Sequence, residues 1–460
     1  MSARVPRLVS VCWSTNIGPI VGLCWLAAAV GCRAAADGGE PTRGKAGMEA
    51  PAPAASEDAG LPDAGGPVSV SERREVAPLD AGAEPGQPAL PSAGKPAQPA
   101  SAGKPAKPAS AGMTGSMQVS TTPLRDWPAR ERARVLISGH SLTDNPLGDY
   151  VAKLAQQHAR DYGWEQQIVI GSPVRYRTRG DDSHDPNFSG YSLGKNRDSF
   201  EKNILHELAM PTGIGADEHY ETLVITERHD ILGVIGGEDT VPLLRHYHDR
   251  LREHANQTRT LFYQSWPEID LSKPEAWIAY QSRELGAWEC AASKVNLSLE
   301  RDAAAPTVTV IPVAVALAKF VERVLAGAVP ELGGTQQERL GAIFMDDVHL
   351  TALGAYLAAA ATYSAVFAST PAGVEPPPNV NASAAALASD LAWEVVSTYY
   401  RATVEPWRRS MEDCRSQLSA LCPEYMAIRQ LEDKSNFCSM WQKPDGPLSW
   451  PDASFPLPAP

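Results

Sequence analysis

The chain has 460 residues, with 54 acidic against 41 basic side chains and a formal charge of −13. That length suits one large domain or two ordinary ones, and the acidic balance excludes a nucleic-acid binder that works through phosphate contacts. A neutral or cationic substrate stays compatible with it.

Arg4 and Arg7 precede an apolar stretch over residues 17–30, too short for a membrane span and ending in small residues. Ala29-Val30-Gly31-Cys32 resembles a bacterial lipoprotein box, with Ala29 where leucine is usual. Residues 1–32 therefore read as an export signal, and two outcomes stay open. Acylation of Cys32 would attach the mature protein to the cell envelope by a membrane anchor, whereas ordinary cleavage would release it as a secreted protein. Residues 33–125 are rich in Ala, Gly, Pro, Ser and Asp and hold almost no aromatics. Ser92-Ala93-Gly94-Lys95-Pro96 recurs as Ser101-Ala102-Gly103-Lys104-Pro105, and Ser110-Ala111-Gly112 begins a third copy. Such a stretch cannot bury enough apolar surface to fold, and it reads as a disordered spacer.

The folded part spans residues 126–460. Val135-Leu136-Ile137 is the first buried strand, and it ends at Gly139-His140-Ser141. Apolar periodicity over 147–159 predicts a helix that starts soon after, and a helix start would offer free backbone N–H groups beside Ser141. Ile168-Val169-Ile170 is the second strand, stopped by Gly171-Ser172-Pro173. Residues 174–200 are polar and glycine-rich, with Arg175, Arg177, Arg179 and His184, and read as a long surface loop where a substrate could lie. Leu223-Val224-Ile225 is the third strand and runs into Glu227-Arg228-His229-Asp230. Residues 241–254 are helical, 259–263 form the fourth strand, 277–285 are helical, 308–311 form the fifth strand and 312–325 a helix. A short strand over 343–345 leads to Asp346-Asp347-Val348-His349, then a long apolar helix over 353–367. Residues 371–390 read as a surface excursion, 390–407 as a helix, and 414–460 as an irregular tail packed by Trp441, Trp450 and Phe455.

Short apolar strands alternating with amphipathic helices predict an α/β fold of three layers, with a parallel sheet between helices. Ligands in such folds sit beyond the carboxyl ends of the strands. Ser141, Gly171, the 227–230 stretch and the 346–349 stretch all fall at predicted strand ends. Of the cysteines beyond the leader, Cys290, Cys414, Cys422 and Cys438 allow two disulfides in an oxidising compartment. Three pairings exist, and Cys414–Cys422 with Cys290–Cys438 is the one expected.

These strand-end residues, in this order, resemble the four blocks of the SGNH (GDSL-like) hydrolase superfamily over residues 130–370. Gly139-His140-Ser141 stands where the family has Gly-Asp-Ser, which makes Ser141 the implied nucleophile. Gly171 matches the glycine whose N–H joins the oxyanion hole. Glu227-Arg228-His229-Asp230 stands where the family has Gly-x-Asn-Asp, so both the glycine and the donating asparagine are replaced. Asp346-Asp347-Val348-His349 matches Asp-x-x-His, with His349 the implied base and Asp346 its partner.

The chemistry of these residue types fits. A serine hydroxyl needs a base to take its proton, and a carboxylate on the far ring nitrogen fixes the tautomer. His229 is the expected replacement oxyanion donor, with Arg228 second. Asp347 is expected to cap the following helix. His140 faces away from the nucleophile if the turn is helical. His246 and His248 read as surface or satisfied side chains, and Trp266 as a ring that could line the pocket and stack on a sugar. No cofactor and no metal is called for. The expected activity is an exported serine esterase, monomeric, acting on an ester such as acylated carbohydrate. A non-catalytic carbohydrate-binding protein and an acyltransferase on the same fold are the alternatives. No extended apolar cap favours a lipase.

Overall fold

Five short strands, buried along nearly their whole length, form the centre of the molecule. They are β1 (Arg132–Gly139), β2 (Asp161–Ile168), β3 (Thr222–Thr226), β4 (Arg259–Tyr263) and β5 (Val308–Ile311). The computed structural model describes residues 127–448 apart from 216, 256, 302–306, 403, 432–435 and 444–445. The leader with Cys32, the spacer, Trp450 and Phe455 lie outside the described residues. The described elements all fall within one compact unit.

All strand pairs are parallel, in the order β2-β1-β3-β4-β5. The chain moves outward from β1 to β2, then returns to the other side of β1 at β3. That reversal opens a crevice at the carboxyl ends of β1 and β3, the usual ligand position in doubly wound sheets. Strands covered on both faces need apolar runs, and VLI in β1, LVI in β3 and VTVI in β5 supply them.

The helices divide into two packed groups. In the first, α1 (Leu147–Gln157), α7 (Val313–Leu325), α9 (Ala352–Phe367) and α10 (Ala382–Tyr400) contact one another. The second holds α2 (Val174–Arg179), α5 (Thr240–Arg252), α6 (Pro274–Arg301) and α11 (Met411–Ile428). The short helices α3 (Ile204–Ala209) and α4 (Ile231–Gly237) pack on the second group and α8 (Gln336–Gly341) on α7, and the two groups meet where α6 packs on α7. Caps set several starts: Thr351 accepts from Gly354 N, Asn381 from Ala384 N and Ser410 from Asp413 N. Trp127 stacks on Tyr400 at 4.8 Å and on Trp393 at 5.8 Å, which fastens the first described residue to α10.

The α/β class is as expected from the strand–helix alternation, and β4 and β5 match to the residue. Elsewhere the structure differs. The second strand is Asp161–Ile168 rather than 168–170, because Glu165, Gln166 and Gln167 are polar yet buried in it. The 174–200 segment is not an open loop. It carries α2 and a 3-10 turn over Ser189–Ser192, and Phe188, Tyr191 and Arg177 are buried. The 371–390 excursion ends early, since α10 begins at Ala382. The tail is not irregular from Cys414 onward, because α11 continues through Pro423 to Ile428. Trp441 does pack, at 1 % exposure.

The disulfides join Cys290 to Cys414 and Cys422 to Cys438, not Cys414 to Cys422. The reason is geometric. Cys414 and Cys422 both lie on α11, and eight residues of helix rise about 12 Å, roughly twice the span of a disulfide. Cys290–Cys414 instead staples α11 to α6 across 124 residues, and Cys422–Cys438 ties the last 3-10 turn to α11 across 16. Loop-closure entropy values these links at about 5 and about 3 kcal/mol. Two disulfides suit an oxidising, extracytoplasmic compartment. Among the described residues no helix is long and apolar enough to cross a membrane.

Candidate active site

Ser141 stands on a tight turn at the end of β1. Thr143 N donates to His140 O at 2.9 Å and closes that turn over residues 140–143. Helix α1 starts at Leu147, as expected, so a turn of several residues separates Ser141 from the helix N-terminus. Gly139 has no room for a side chain: a Cβ there would lie 1.8 Å from Thr143 Oγ1. The glycine therefore lets the turn fold back against the strand end.

The 346–349 turn presents its histidine to that serine. Nε2 of His349 lies 3.0 Å from Ser141 Oγ, and Nδ1 lies 2.7 Å from Asp346 Oδ2. The other carboxylate oxygen, Oδ1, accepts from His349 N at 2.6 Å and from Val348 N at 2.8 Å. These backbone bonds, with the histidine side chain adding to them, hold the Asp346 carboxyl down at about 2. It is ionised at neutral pH, which fixes the proton on Nδ1 and leaves the Nε2 lone pair toward Oγ. The turn itself is anchored from below. Trp266 Nε1 donates to Val348 O at 2.9 Å, Ile269 N to Asp347 O at 2.8 Å, and Met345 N to His349 O at 2.8 Å. Trp266 is fully buried in this role and offers no face for a sugar. Asp347 does not cap α9, since Thr351 does.

Gly171 lies at the neighbouring strand end. Val169 N donates to Gly139 O at 3.0 Å, which ties this turn to the end of β1. Gly171 takes a φ of +66° and is exposed, with no atom near where a Cβ would be. Such a φ is strained for residues other than glycine. Beneath it Arg177, fully buried, donates to Ser172 O at 2.7 Å and to Ser138 Oγ at 3.1 Å, and also bonds Thr226 O. Burial pushes this guanidinium down to about 10, opposed by the charge of Glu227.

Glu227 directly follows β3, and sequence reasoning gave it no role. Its Oε1 accepts from Val174 N at 3.0 Å and Arg228 N at 2.8 Å, and its Oε2 from Thr240 Oγ1 at 2.8 Å. Its backbone oxygen accepts from Ser265 Oγ at 3.0 Å. This buried side chain clamps the segment after Gly171 to the end of β3; burial raises its pKa. Its only sequence signal was its place directly after a strand.

His140 turns inward, with Nε2 donating to Glu227 O at 3.1 Å and Nδ1 accepting from Leu142 N at 3.4 Å. Burial, helped by the charge of Arg177, lowers its pKa to about 3, so the ring is neutral and structural. His229 reaches the same edge, its ring 6.5 Å from that of His140. Its Nε2, however, points to Glu268 Oε1 at 3.1 Å. Glu268 in turn is held by Arg429, and chiefly the His229 bond brings its carboxyl to about 2. Only Nδ1 of His229 stays open to a ligand, and with Nε2 donating to the carboxylate it donates only from a doubly protonated ring. Arg228 grips Asp230 with Nε at 2.6 Å and Nη2 at 3.0 Å. His246 and His248 are not at the surface: both are buried, against Tyr191 Oη at 2.9 Å and Thr260 Oγ1 at 2.8 Å, and the Nε2 of His248 is left without a hydrogen-bond partner. Among the described residues no group of His, Cys, Asp or Glu could hold a metal ion, and that includes His184.

Two cavities flank the 346–349 turn. One, of about 80 Å³, is lined by Ser141, Leu142, Leu147, Met345, His349 and Leu350 among others. A water needs roughly 10–15 Å³ by this measure, so the space takes a group of a few heavy atoms. The other, of about 610 Å³, lies on the Asp347 and Glu268 side.

No protein-family model and no curated protein matches the chain. A solved structure of a DUF4886 family protein from Bacteroides uniformis is similar at 14 % identity and a TM-score of 0.41. The similarity covers 60 % of this chain and 98 % of that one.

Proposed function

We propose that the protein is a serine esterase of the SGNH type that removes short acyl groups. One observation carries the reading. Ser141, His349 and Asp346 form a continuous relay, Oγ to Nε2 at 3.0 Å and Nδ1 to Oδ2 at 2.7 Å, between segments 208 residues apart. Nucleophile, base and orienting carboxylate within hydrogen-bond reach form the constellation that acyl transfer needs.

In this reading His349 Nε2 takes the proton as Ser141 Oγ attacks the ester carbonyl. The carbonyl oxygen becomes an oxyanion, and the N–H groups of Ser141 and Gly171 are its donors. Asp346 keeps the ring in the productive tautomer and stabilises the imidazolium. That imidazolium returns its proton to the departing alcohol, and the acyl group stays on Oγ. Water, deprotonated by the same ring, then releases the acid. The 80 Å³ cavity beside Oγ supports an acetyl-sized acyl group rather than a long chain. His229, held through Nε2 by Glu268, turns its Nδ1 edge to the site and is the third oxyanion donor. An exported enzyme with this preference suits O-acylated carbohydrate outside the cytoplasm.

A non-catalytic carbohydrate-binding protein is the second reading. The occupied side chains at the end of β3 favour it. Labelling by a fluorophosphonate together with turnover of an activated acetyl ester separates the two. Wild-type protein labels at Ser141 and turns over the ester, and Ser141→Ala loses both, with turnover down by roughly 10⁴ or more. Wild-type turnover by Ser141→Ala would exclude the mechanism.

A further inference from the structure

The 610 Å³ cavity has no part in the relay, yet it shares a wall with it. Asp347 lines it and is the neighbour of Asp346, while Glu268 lines it and holds His229. Ile269 joins the two walls through its N–H to Asp347 O. Pockets of roughly 300–1,000 Å³ enclose ligands larger than an acyl group. The lining sets apolar side chains such as Ile269, Leu271 and Trp277 beside the carboxylates of Glu268, Asp270 and Asp347 and the ammonium of Lys273. Two of these acids are already engaged. Glu268 bonds His229 and Arg429, and Asp270 accepts from Ser272 N at 2.9 Å and Ser272 Oγ at 2.6 Å. Asp347 is exposed and has no side-chain partner among the described residues. It is a free acceptor on the wall nearest the base. The far wall is Ala427, Ile428 and Gln430, at the end of the disulfide-held helix α11.

We propose that this cavity is the subsite for the alcohol half of the ester, and that it takes a polyhydroxylated ring such as a glycosyl unit. The proposal rests on the esterase reading for its place in the reaction. The acyl group occupies the small cavity, the scissile bond lies at Ser141, and the ring lies across the 346–349 turn with hydroxyls donating to Asp347. A free acceptor at Asp347 favours an alcohol that brings donors. A hydrocarbon ring of equal size would strip water from Asp347 and return nothing.

The test compares a mono-acetylated methyl hexoside with cyclohexylmethyl acetate, which carries the same acyl group on a ring without hydroxyls. Wild-type protein is expected to favour the hexoside at least tenfold in kcat/KM. Asp347→Ala is expected to lower that ratio about tenfold, through KM. Ala427→Trp, an exposed substitution on the far wall, fills the cavity and lowers the ratio as well. Binding of unacetylated methyl hexoside to Ser141→Ala protein, followed by NMR, reads the subsite without turnover, and Asp347→Ala on that background weakens it at least fivefold. Hexoside binding that depends on Asp347, in a protein that turns over no ester, keeps the subsite and removes the esterase reading. Ester turnover with neither hexoside preference nor sensitivity to both substitutions overturns the subsite and keeps the esterase. Loss of neither binding nor ratio in both variants likewise overturns it.

Discussion

The carboxyl ends of β1 and β3 are neighbours in the sheet, paired through Ser138 and Ile225, yet they are built in opposite ways. Beyond β1, Ser141 faces His349, and the one bond between them is the bond a substrate would use. Beyond β3, Glu227, Arg228, His229 and Asp230 each bond other protein groups. The first end is left free to react, and the second is committed to holding shape. On the esterase reading the donor at this end is His229, whose Nε2 is held by Glu268 and whose other ring nitrogen is left over. The comparison also separates two histidines that look alike in sequence. His140 and His229 are both near the nucleophile, but one is sealed in the core and the other is wired to a carboxylate at a cavity rim.

The largest effect that could break this contrast is on the relay. His349→Ala should lose turnover almost as completely as Ser141→Ala, and the double variant should be little worse than either, because the two act as a unit. Asp346→Asn should cost roughly 10⁴ in kcat through the wrong tautomer. Steady-state kinetics on an activated acetyl ester, with circular dichroism to show folding, measures both; additive losses would mean that the groups do not work together.

An intermediate effect sharpens the β3 side. His229→Ala should slow turnover by roughly 10²–10³, the toll of one oxyanion donor. Glu268→Gln should lose less in the same direction, and the double variant should equal His229→Ala alone. Wild-type rates in His229→Ala would move the third donor elsewhere, with Arg228 first in line.

The smallest effect distinguishes the rings by proton uptake. His140 binds a proton only near pH 3 in the fold but near 6.5 in an unfolded chain. The unfolded state therefore takes up the proton first on acidification. His140 lowers stability as pH falls between those values, at about 1.4 kcal/mol per pH unit where the slope is full. Asp346 stays a carboxylate above about pH 2. Neither group changes charge between pH 4 and 8, so neither shapes the pH profile of turnover across that range. Histidine-selective NMR should show a His140 ring that does not titrate across that range.

Much of the relay was legible because its parts are strand ends in chain order. Ser141, Gly171 and the Asp346/His349 pair each follow an apolar run, and the structure brings the serine, aspartate and histidine together. What was not legible depended on burial of polar side chains. Glu165, Gln166 and Gln167 hid β2, and Arg177 made a packed helix look like a loop, because hydropathy alone does not reveal a polar group whose partners lie far along the chain. Glu268 carried no signal, since its meaning comes from His229, 39 residues away. The disulfide pairing failed on proximity in sequence, which a helix through Cys414 and Cys422 makes misleading.

The turn that carries the base is exposed, with half of the Asp346 side chain open to solvent. Surface turns of this kind ordinarily open many times a second and exchange their amide protons freely. Here the amides of Met345, Val348 and His349 are all bound, and the carbonyls of Asp347 and Val348 are held by Ile269 and Trp266. Opening it would break five hydrogen bonds and unseat a buried tryptophan. The turn is thus a piece of surface with the exchange lifetime of the interior. The disorder that a base on a loop would otherwise carry into each encounter with substrate is removed once, when the chain folds.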